Sequence, residues 1–141
     1  MRSVFLSFVI ALSSLSLLCE APATLGDLDP KDRVTLSREE LVRLLPGARL
    51  KRFSARGSPQ DWTNRANGTL TATSEYGGKI PLVAEGKWRI TDEGRFCVRI
   101  EWPGYDPEDW CRLIVKSGGK YFAVDSDQDL KGRLRPFEII K

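Results

Sequence analysis

The sequence of 141 residues contains no histidine. A serine or cysteine nucleophile therefore has no histidine to take its proton, and a histidine general base is excluded. Paired carboxylates remain a possible route to acid–base catalysis, and one predicted loop carries four acidic residues: Glu101, Asp106, Glu108 and Asp109. Acidic residues grouped on a turn are typical of a solvated loop, and the glycines lie in turns rather than in a phosphate-binding loop. We therefore expect a protein that is not an enzyme and needs no cofactor.

Metal ligands are also scarce. Without histidine, isolated cysteines do not make a zinc site. Asp125, Asp127 and Asp129 alternate as the ligands of a calcium loop do, but the sixth position of that pattern is Leu130 instead of glycine, and the twelfth is Pro136 instead of glutamate. We interpret this segment as a polar hairpin loop and expect no metal.

Long apolar runs are limited to one, from Val4 to Leu18. Serines interrupt this run, and it is too short for a good membrane span. The small residues of Ala21-Pro22-Ala23 then predict a signal peptide over residues 1–23, with cleavage after Ala23 and no transmembrane segment left after processing. Lipidation at Cys19 is the alternative, although Leu18 is bulkier than the residue usual before a lipidated cysteine. We expect a periplasmic or secreted protein.

Strong charge of one sign is absent, because the formal net charge is only +3. This excess does not require a nucleic-acid partner. The remaining chain has the size of one domain, which we divide into an irregular leader over residues 24–36 and a single β domain over residues 37–141.

Cysteine is rare, and removal of Cys19 would leave Cys97 and Cys111 as an even pair, which predicts a disulfide between them in an oxidising compartment. The midpoint between them is Gly104, so a hairpin folded symmetrically there places the two cysteines opposite each other. The faces of the two strands conflict with this pairing. Cys97 shares its face with the charged residues Arg95 and Arg99, whereas Cys111 shares its face with the apolar residues Leu113 and Val115. A bulge between the two strands or an offset register would reconcile the faces.

Alternation of apolar and polar residues from Gly86 to Val124 predicts four antiparallel strands with one buried face. Asn67-Gly68 predicts a type I′ turn in an earlier hairpin. Ser37 and Glu40 form a capping box before an apolar stripe, which predicts a short helix that plugs or covers one end of the β structure. The fold class is mainly β, an antiparallel barrel or sandwich of about seven to eight strands with one helix.

One sheet face is predicted to be basic, because cationic and apolar residues alternate on neighbouring strands. The residues are Lys87, Arg89, Arg95 and Arg99. A solvated face is the plain interpretation, and an anionic partner is the alternative. In the loop between the cysteines, Trp102, Tyr105 and Trp110 suit either burial at the barrel rim or stacking on a sugar or a protein partner. We take the four cations and Tyr105 as the candidate site, with an anionic envelope polymer or an acidic protein surface as its partner.

Several motifs carry a resemblance: Gly86-Lys87-Trp88, the strand with Cys97, the Trp110-Cys111 pair and the run from Ser117 to Phe122. Between about Leu44 and Asp125 the chain resembles small secreted proteobacterial proteins that contain a domain of unknown function. This resemblance implies a bacterial periplasmic protein. Gly86-Lys87-Trp88 is also similar to the lipocalin signature, although here it falls mid-chain. The Ser117–Tyr121 run is similar to the inhibitory loop of periplasmic C-type lysozyme inhibitors, although it is shorter.

These observations predict an exported, non-enzymatic β domain that acts as a binding or envelope-associated module. Two alternatives stay open, a lysozyme-inhibitor-like protein and a lipocalin-like carrier of an apolar ligand. A deep apolar cavity would favour the carrier. A filled core with the Ser117–Tyr121 turn projecting would favour the inhibitor. The oligomeric state does not follow from the sequence.

Overall fold

The computed structural model describes residues 20–75 and 80–141. The apolar run of the predicted signal peptide and the alternative lipid attachment site at Cys19 lie outside these residues, as does Tyr76-Gly77-Gly78, which we expected to lead into the central strands. Within the described ranges, no helix is both long enough and apolar enough to span a bilayer.

The chain forms nine strands and two short helical segments. In chain order these are a 3-10 helix (Leu25–Asp27), β1 (Val34–Thr35), α1 (Arg38–Leu44), β2 (Arg49–Phe53), β3 (Pro59–Asn64), β4 (Thr69–Ser74), β5 (Leu82–Ile90), β6 (Phe96–Glu101), β7 (Glu108–Ser117), β8 (Lys120–Val124) and β9 (Arg135–Ile140). From β2 onward each strand pairs antiparallel with the next, and β9 pairs back onto β2. Closure of the eight strands removes their free edges. The predicted mainly β fold is confirmed, and the alternative of a barrel is the correct one.

Two kinds of glycine turn set the strand registers. Gly118 and Gly119 both have positive φ, 57° and 73°, in the two-residue connection between Ser117 and Lys120, as a type I′ turn requires. The type I′ turn predicted at Asn67-Gly68 is wrong, because only Gly68 has positive φ, at 84°. The amide of Thr69 donates to Asn67 Oδ1 (3.1 Å), and the connection is a longer turn that ends in a left-handed glycine.

Helix α1 closes one end of the barrel, which we call the helix end. Ser37 Oγ accepts from the Glu40 amide at 3.2 Å, and Glu40 Oε2 accepts from the Ser37 amide at 2.7 Å, so the predicted capping box is present. Leu41 and Leu45 have no exposed surface and join the same apolar cluster as the barrel interior. The predicted role of the helix as a plug is confirmed. The opposite end carries the β2–β3, β6–β7 and β8–β9 connections, and we call it the loop end.

The segment over residues 24–36, for which we expected an irregular leader, lies against the outer wall of the barrel. Leu25 and Leu28 are buried there in a second apolar cluster, whose other buried members are Val115, Phe122, Val124 and Leu134. Strand β1 continues this cover by pairing with the part of β7 that extends past β6. We call residues 24–36 the N-terminal strap.

The strap resolves the conflict between the faces of the two cysteines. Cys97 pairs directly with Cys111 in an uninterrupted register from Phe96↔Arg112 to Ile100↔Glu108. Neither the bulge nor the offset register that we expected is present. Cys111 shares the outer face with Leu113 and Val115, and that face is apolar because the strap buries it from outside.

Gly86 has a packing role in the Gly-x-Trp motif. A Cβ at this position would overlap the carbonyl oxygen of Arg99 and lie 2.8 Å from Leu70 Cδ1. We expect Gly86→Ala to lower the free energy of unfolding by about 2 kcal/mol, because backbone of β6 would have to move. Urea denaturation measures this loss. Val83→Ala, on the exposed side of the same strand, is the control and should change stability by less than about 0.5 kcal/mol. Equal midpoints for both variants would contradict the packing role.

Candidate functional site

A disulfide joins Cys97 and Cys111 on the outer wall of strands β6 and β7. The two residues lie opposite each other about the midpoint Gly104, so the predicted pairing is confirmed. Cys97 is buried and Cys111 is exposed. The disulfide therefore joins two neighbouring strands at the surface and makes this part of the wall rigid.

The outer wall beside the disulfide carries three of the predicted cations close together. Arg89 lies opposite Cys97, and its Nη2 is 4.0 Å from Cys111 Sγ. Lys87 is two residues away on the same face of β5. Arg95 is the diagonal neighbour of Arg89 across the β5–β6 hairpin, a relation that places Cβ atoms about 7–8 Å apart. The Arg95 guanidinium donates to the carbonyl oxygen of Asp125 at 3.1 Å.

Arg99 differs from these three because two carboxylates neutralise it. Its Nε donates to Glu101 Oε1 at 2.7 Å, and its Nη1 donates to Asp109 Oδ2 at 2.8 Å. These hydrogen bonds, first to Glu101 and then to Asp109, raise the pKa of the Arg99 guanidinium. Among residues 20–75 and 80–141, no carboxylate oxygen lies within 4.0 Å of a charged nitrogen of Lys87, Arg89 or Arg95. We call these three residues the cationic patch.

Tyr105 is not brought to the cationic patch. It lies in the β6–β7 turn and is 54% exposed, whereas Arg95 precedes the other end of β6. At about 3.3 Å per residue, about 20 Å of strand separates Arg95 from Glu101, the last residue of β6, whereas Lys87, opposite Arg99, lies nearer the turn. The structure thus divides the predicted site into a patch of three cations, a neutralised arginine and a tyrosine in the turn beyond β6.

The barrel lumen is almost filled. A cavity between Arg52, Arg112 and Arg135 has a volume of about 20 Å³. Trp62 and Phe96 are buried in the lumen, and Trp102 and Trp110 pack against the same cluster. The predicted burial of these two loop tryptophans at the barrel rim is confirmed. A lumen of this kind has no room for an apolar ligand of ordinary size, for which pockets of about 300 Å³ or more are usual.

A larger concave surface lies outside the barrel on strands β2, β3, β8 and β9. This groove has a volume of about 770 Å³, and Phe53 stands in it with 72% of its surface exposed. Charges of both signs line the groove, with lysines and carboxylates alternating across the strands: Lys120, Glu138, Lys51 and Asp61. Because the signs alternate, the groove offers little net attraction to a polyanion.

The Ser117–Tyr121 turn is held against the strap. Ser117 is buried, and its hydroxyl donates to Asp32 Oδ2 at 3.1 Å. The amide of Gly118 donates to the same carboxylate oxygen. Tyr121 packs on Phe137 inside the barrel. Only the tip of the turn, Gly118 to Lys120, is exposed to a partner.

A comparison with family models gives one match, described as "Protein of unknown function (DUF995)", over residues 15–127. The chain belongs to the DUF995 family. The predicted resemblance to a domain family of unknown function is therefore confirmed. No match was found among curated proteins or among solved structures. The DUF995 match includes α1 and strands β1 to β8, and β9, which closes the barrel, lies after its last residue.

A group of charged residues inside this DUF995 barrel was not predicted from the sequence. Three arginines line the lumen cavity, Arg52, Arg112 and Arg135. Arg52 donates to Gln60 Oε1 at 3.1 Å and forms an ion pair with Glu108. Arg112 and Arg135 both face Asp125, at 3.4 and 3.2 Å. One sequence signal could have found this group. Every second residue of a strand shares a face, so Glu108 and Arg112 lie on the same inward face as Trp110 and Ile114.

Proposed function

We propose that this DUF995 protein is an exported, non-enzymatic binding module that attaches to an anionic polymer of the cell envelope through its cationic patch. The observation that carries the proposal is the absence of any ion pair at Lys87, Arg89 and Arg95 among the described residues, whereas seven other arginines have carboxylate partners. Cations without internal partners keep their full attraction for an external anion. The disulfide is compatible with export, since such bonds persist in oxidising compartments.

A polymer suits the patch better than an acidic protein does. The patch lies on the convex wall of the barrel, and its register neighbours are Thr69, Arg99 and the disulfide. Stable protein interfaces usually have an apolar core, and Tyr105, the exposed aromatic residue of the candidate site, lies in the β6–β7 turn and not among the three cations. A repeating anionic chain needs only charge at intervals of several Å.

The lack of enzymatic activity is also a proposal, and the positions of the loop carboxylates support it. Glu108 points into the lumen and pairs with Arg52. Glu101 and Asp109 are on the outer wall and pair with Arg99. These three carboxylates are therefore divided between two faces of the wall, and each is engaged by an arginine. The filled lumen supports the binding module over the carrier, and the tethered Ser117 supports it over the inhibitor.

Charge reversal tests the patch. We expect Lys87→Glu/Arg89→Glu to reduce retention on an anionic glycan matrix by at least tenfold at low salt, because two attractive charges become repulsive. Retention of the wild type should fall steeply as salt approaches about 0.5 M, where the Debye length is only a few Å. Column retention against a salt gradient measures both effects.

The control carries a single reversal at Lys131, which is exposed in the β8–β9 loop. Lys131→Glu and Arg89→Glu change the net charge equally, so a difference between them reports position rather than charge. Equal losses in these two variants, or wild-type protein that flows through the matrix at low salt, would overturn the proposal. Salt-sensitive binding to an acidic protein, with no retention on glycan, would replace the polymer with the protein surface as partner.

A further inference from the structure

The inward charges of the barrel do not balance. Three guanidinium groups, those of Arg52, Arg112 and Arg135, face two carboxylates, those of Glu108 and Asp125. Asp125 is shared by two of the arginines, and its side chain is 70% exposed, whereas the side chain of Arg112 is only 15% exposed. Water screens an exposed carboxylate, so its compensation of the inner charge is incomplete. The three guanidinium groups therefore carry one positive charge more than the two carboxylates balance, and this excess charge is largely buried.

Hydrogen-bond donors in the same place also lack acceptors. The Nε of Arg112 and the Nε1 of Trp110 are both buried without a hydrogen-bond partner in the described residues. Arg112 Nε lies 3.4 Å from Asp125 Oδ1, outside hydrogen-bond geometry. Burial and the repulsion of Arg135 lower the pKa of Arg112, but a guanidinium does not deprotonate in a protein. An acceptor must therefore come from elsewhere.

Aromatic faces hold these guanidinium groups in place. The Arg52 guanidinium lies 5.1 Å from the ring centre of Trp62 and 5.5 Å from that of Trp110. The Arg112 guanidinium lies 4.6 Å from the ring centre of Trp110. Cation–π contacts of this kind stabilise the charge, but they accept no N–H hydrogen bond in the ring plane. Arg52 and Arg112 are thus held by aromatic faces, while the Nε of Arg112 still lacks an acceptor.

We propose that the lumen cavity binds one monovalent anion of halide size, between Arg52, Arg112 and Arg135 and beside Trp110. The cavity volume of about 20 Å³ suffices for one occupant of this size, since a single water needs about 10–15 Å³. One negative charge would neutralise the excess, and a halide accepts several N–H bonds at once. We call this position the lumen site.

A water molecule fits the lumen site less well. A water has two hydrogens to donate, and the polar side-chain groups of the lining residues are all donors: Arg52, Trp62, Trp110, Arg112 and Arg135. The other lining residues are apolar, for example Leu50, Phe96 and Ala123. A site made of donors with an excess positive charge selects an anion.

Thermal unfolding tests the lumen site with chloride as the probe. The full processed protein is melted at constant ionic strength while chloride replaces gluconate, which is too large for the cavity. At about ten times the dissociation constant, the midpoint should rise by on the order of 5 °C, because only the folded state binds the anion. Arg135→Gln should abolish this rise, and Arg49→Gln, which alters a surface arginine paired with Asp61, should retain it.

A direct observation covers the case in which a variant does not fold. Crystals of the wild-type protein grown in bromide should show an anomalous peak in the lumen site, at hydrogen-bond distance from Arg112 Nε or Trp110 Nε1. A cavity without such a peak, together with melting midpoints that do not depend on chloride, would overturn the proposal. A chloride response that persists in Arg135→Gln would also overturn it, because the anion would then act elsewhere. None of these readouts depends on the cationic patch, so their failure would leave the polymer proposal intact.

Discussion

Replacement of both Cys97 and Cys111 by serine is expected to lower the free energy of unfolding by about 3 kcal/mol. The disulfide spans a sequence separation of 14 residues, and a loop of this length is the one for which chain entropy gives that figure. In a domain of this size the thermal midpoint should fall by roughly 10 °C. Urea denaturation and thermal melting of the oxidised protein measure the loss.

The matched control is the wild-type protein after reduction, which should lose the same stability without any change of sequence. Thiol titration of the unfolded, unreduced protein should find no free thiol. Two free thiols per chain, or a double variant as stable as the oxidised wild type, would show that the stability of the protein does not depend on this bond.

The register of the cysteine hairpin could be predicted because symmetry about Gly104 is sufficient to define it. The same symmetry places Asp109 opposite Arg99, as the structure has it. The pairing of Arg99 with Asp109 could therefore be predicted once Gly104 was taken as the midpoint of the hairpin. Alternation along a single strand places Arg99 with the other cations, and only the pairing across the hairpin shows its carboxylate neighbour.

The burial of the outer face of β7 could not be predicted from the symmetry of the hairpin. Alternation shows that Cys111, Leu113 and Val115 share a face, but it does not show which side of the wall is covered. The cover comes from the strap, and Leu25 and Val115 are far apart in the sequence. An apolar face outside a barrel therefore has the same sequence pattern as an apolar face inside it.

The contacts among the charged residues of the lumen depend on barrel closure, so local sequence patterns could not predict them. Arg52 and Glu108 are separated by 56 positions, and they meet only because β2 and β7 face the same lumen. Arg135 lies on the strand that pairs back onto β2. A hairpin midpoint defines contacts between neighbouring strands, whereas these contacts require the stagger of all eight strands.

Leu25 holds the strap against the outer wall of the barrel. This side chain has no exposed surface and packs with Val115, Phe122, Val124 and Leu134. The backbone around it is bonded to the β8–β9 loop, with the Leu25 amide donating to Gly132 O at 3.0 Å and the Gly26 amide to Leu130 O at 2.8 Å. We expect Leu25→Ala to destabilise the protein by about 3 kcal/mol, through loss of apolar burial and the cavity left behind.

Urea denaturation measures this loss, and Val42→Ala is the control, because Val42 is 44% exposed on α1. The control should change stability by less than about 0.5 kcal/mol. If the strap detaches locally instead of leaving a cavity, amide hydrogen exchange in Leu25→Ala should rise first in residues 24–36, which include β1. A Leu25→Ala protein with the wild-type midpoint and wild-type exchange would mean that the outer face of β7 and β8 does not need the strap. In that case the burial of Leu113 and Val115 would no longer account for the apolar outer face beside Cys111.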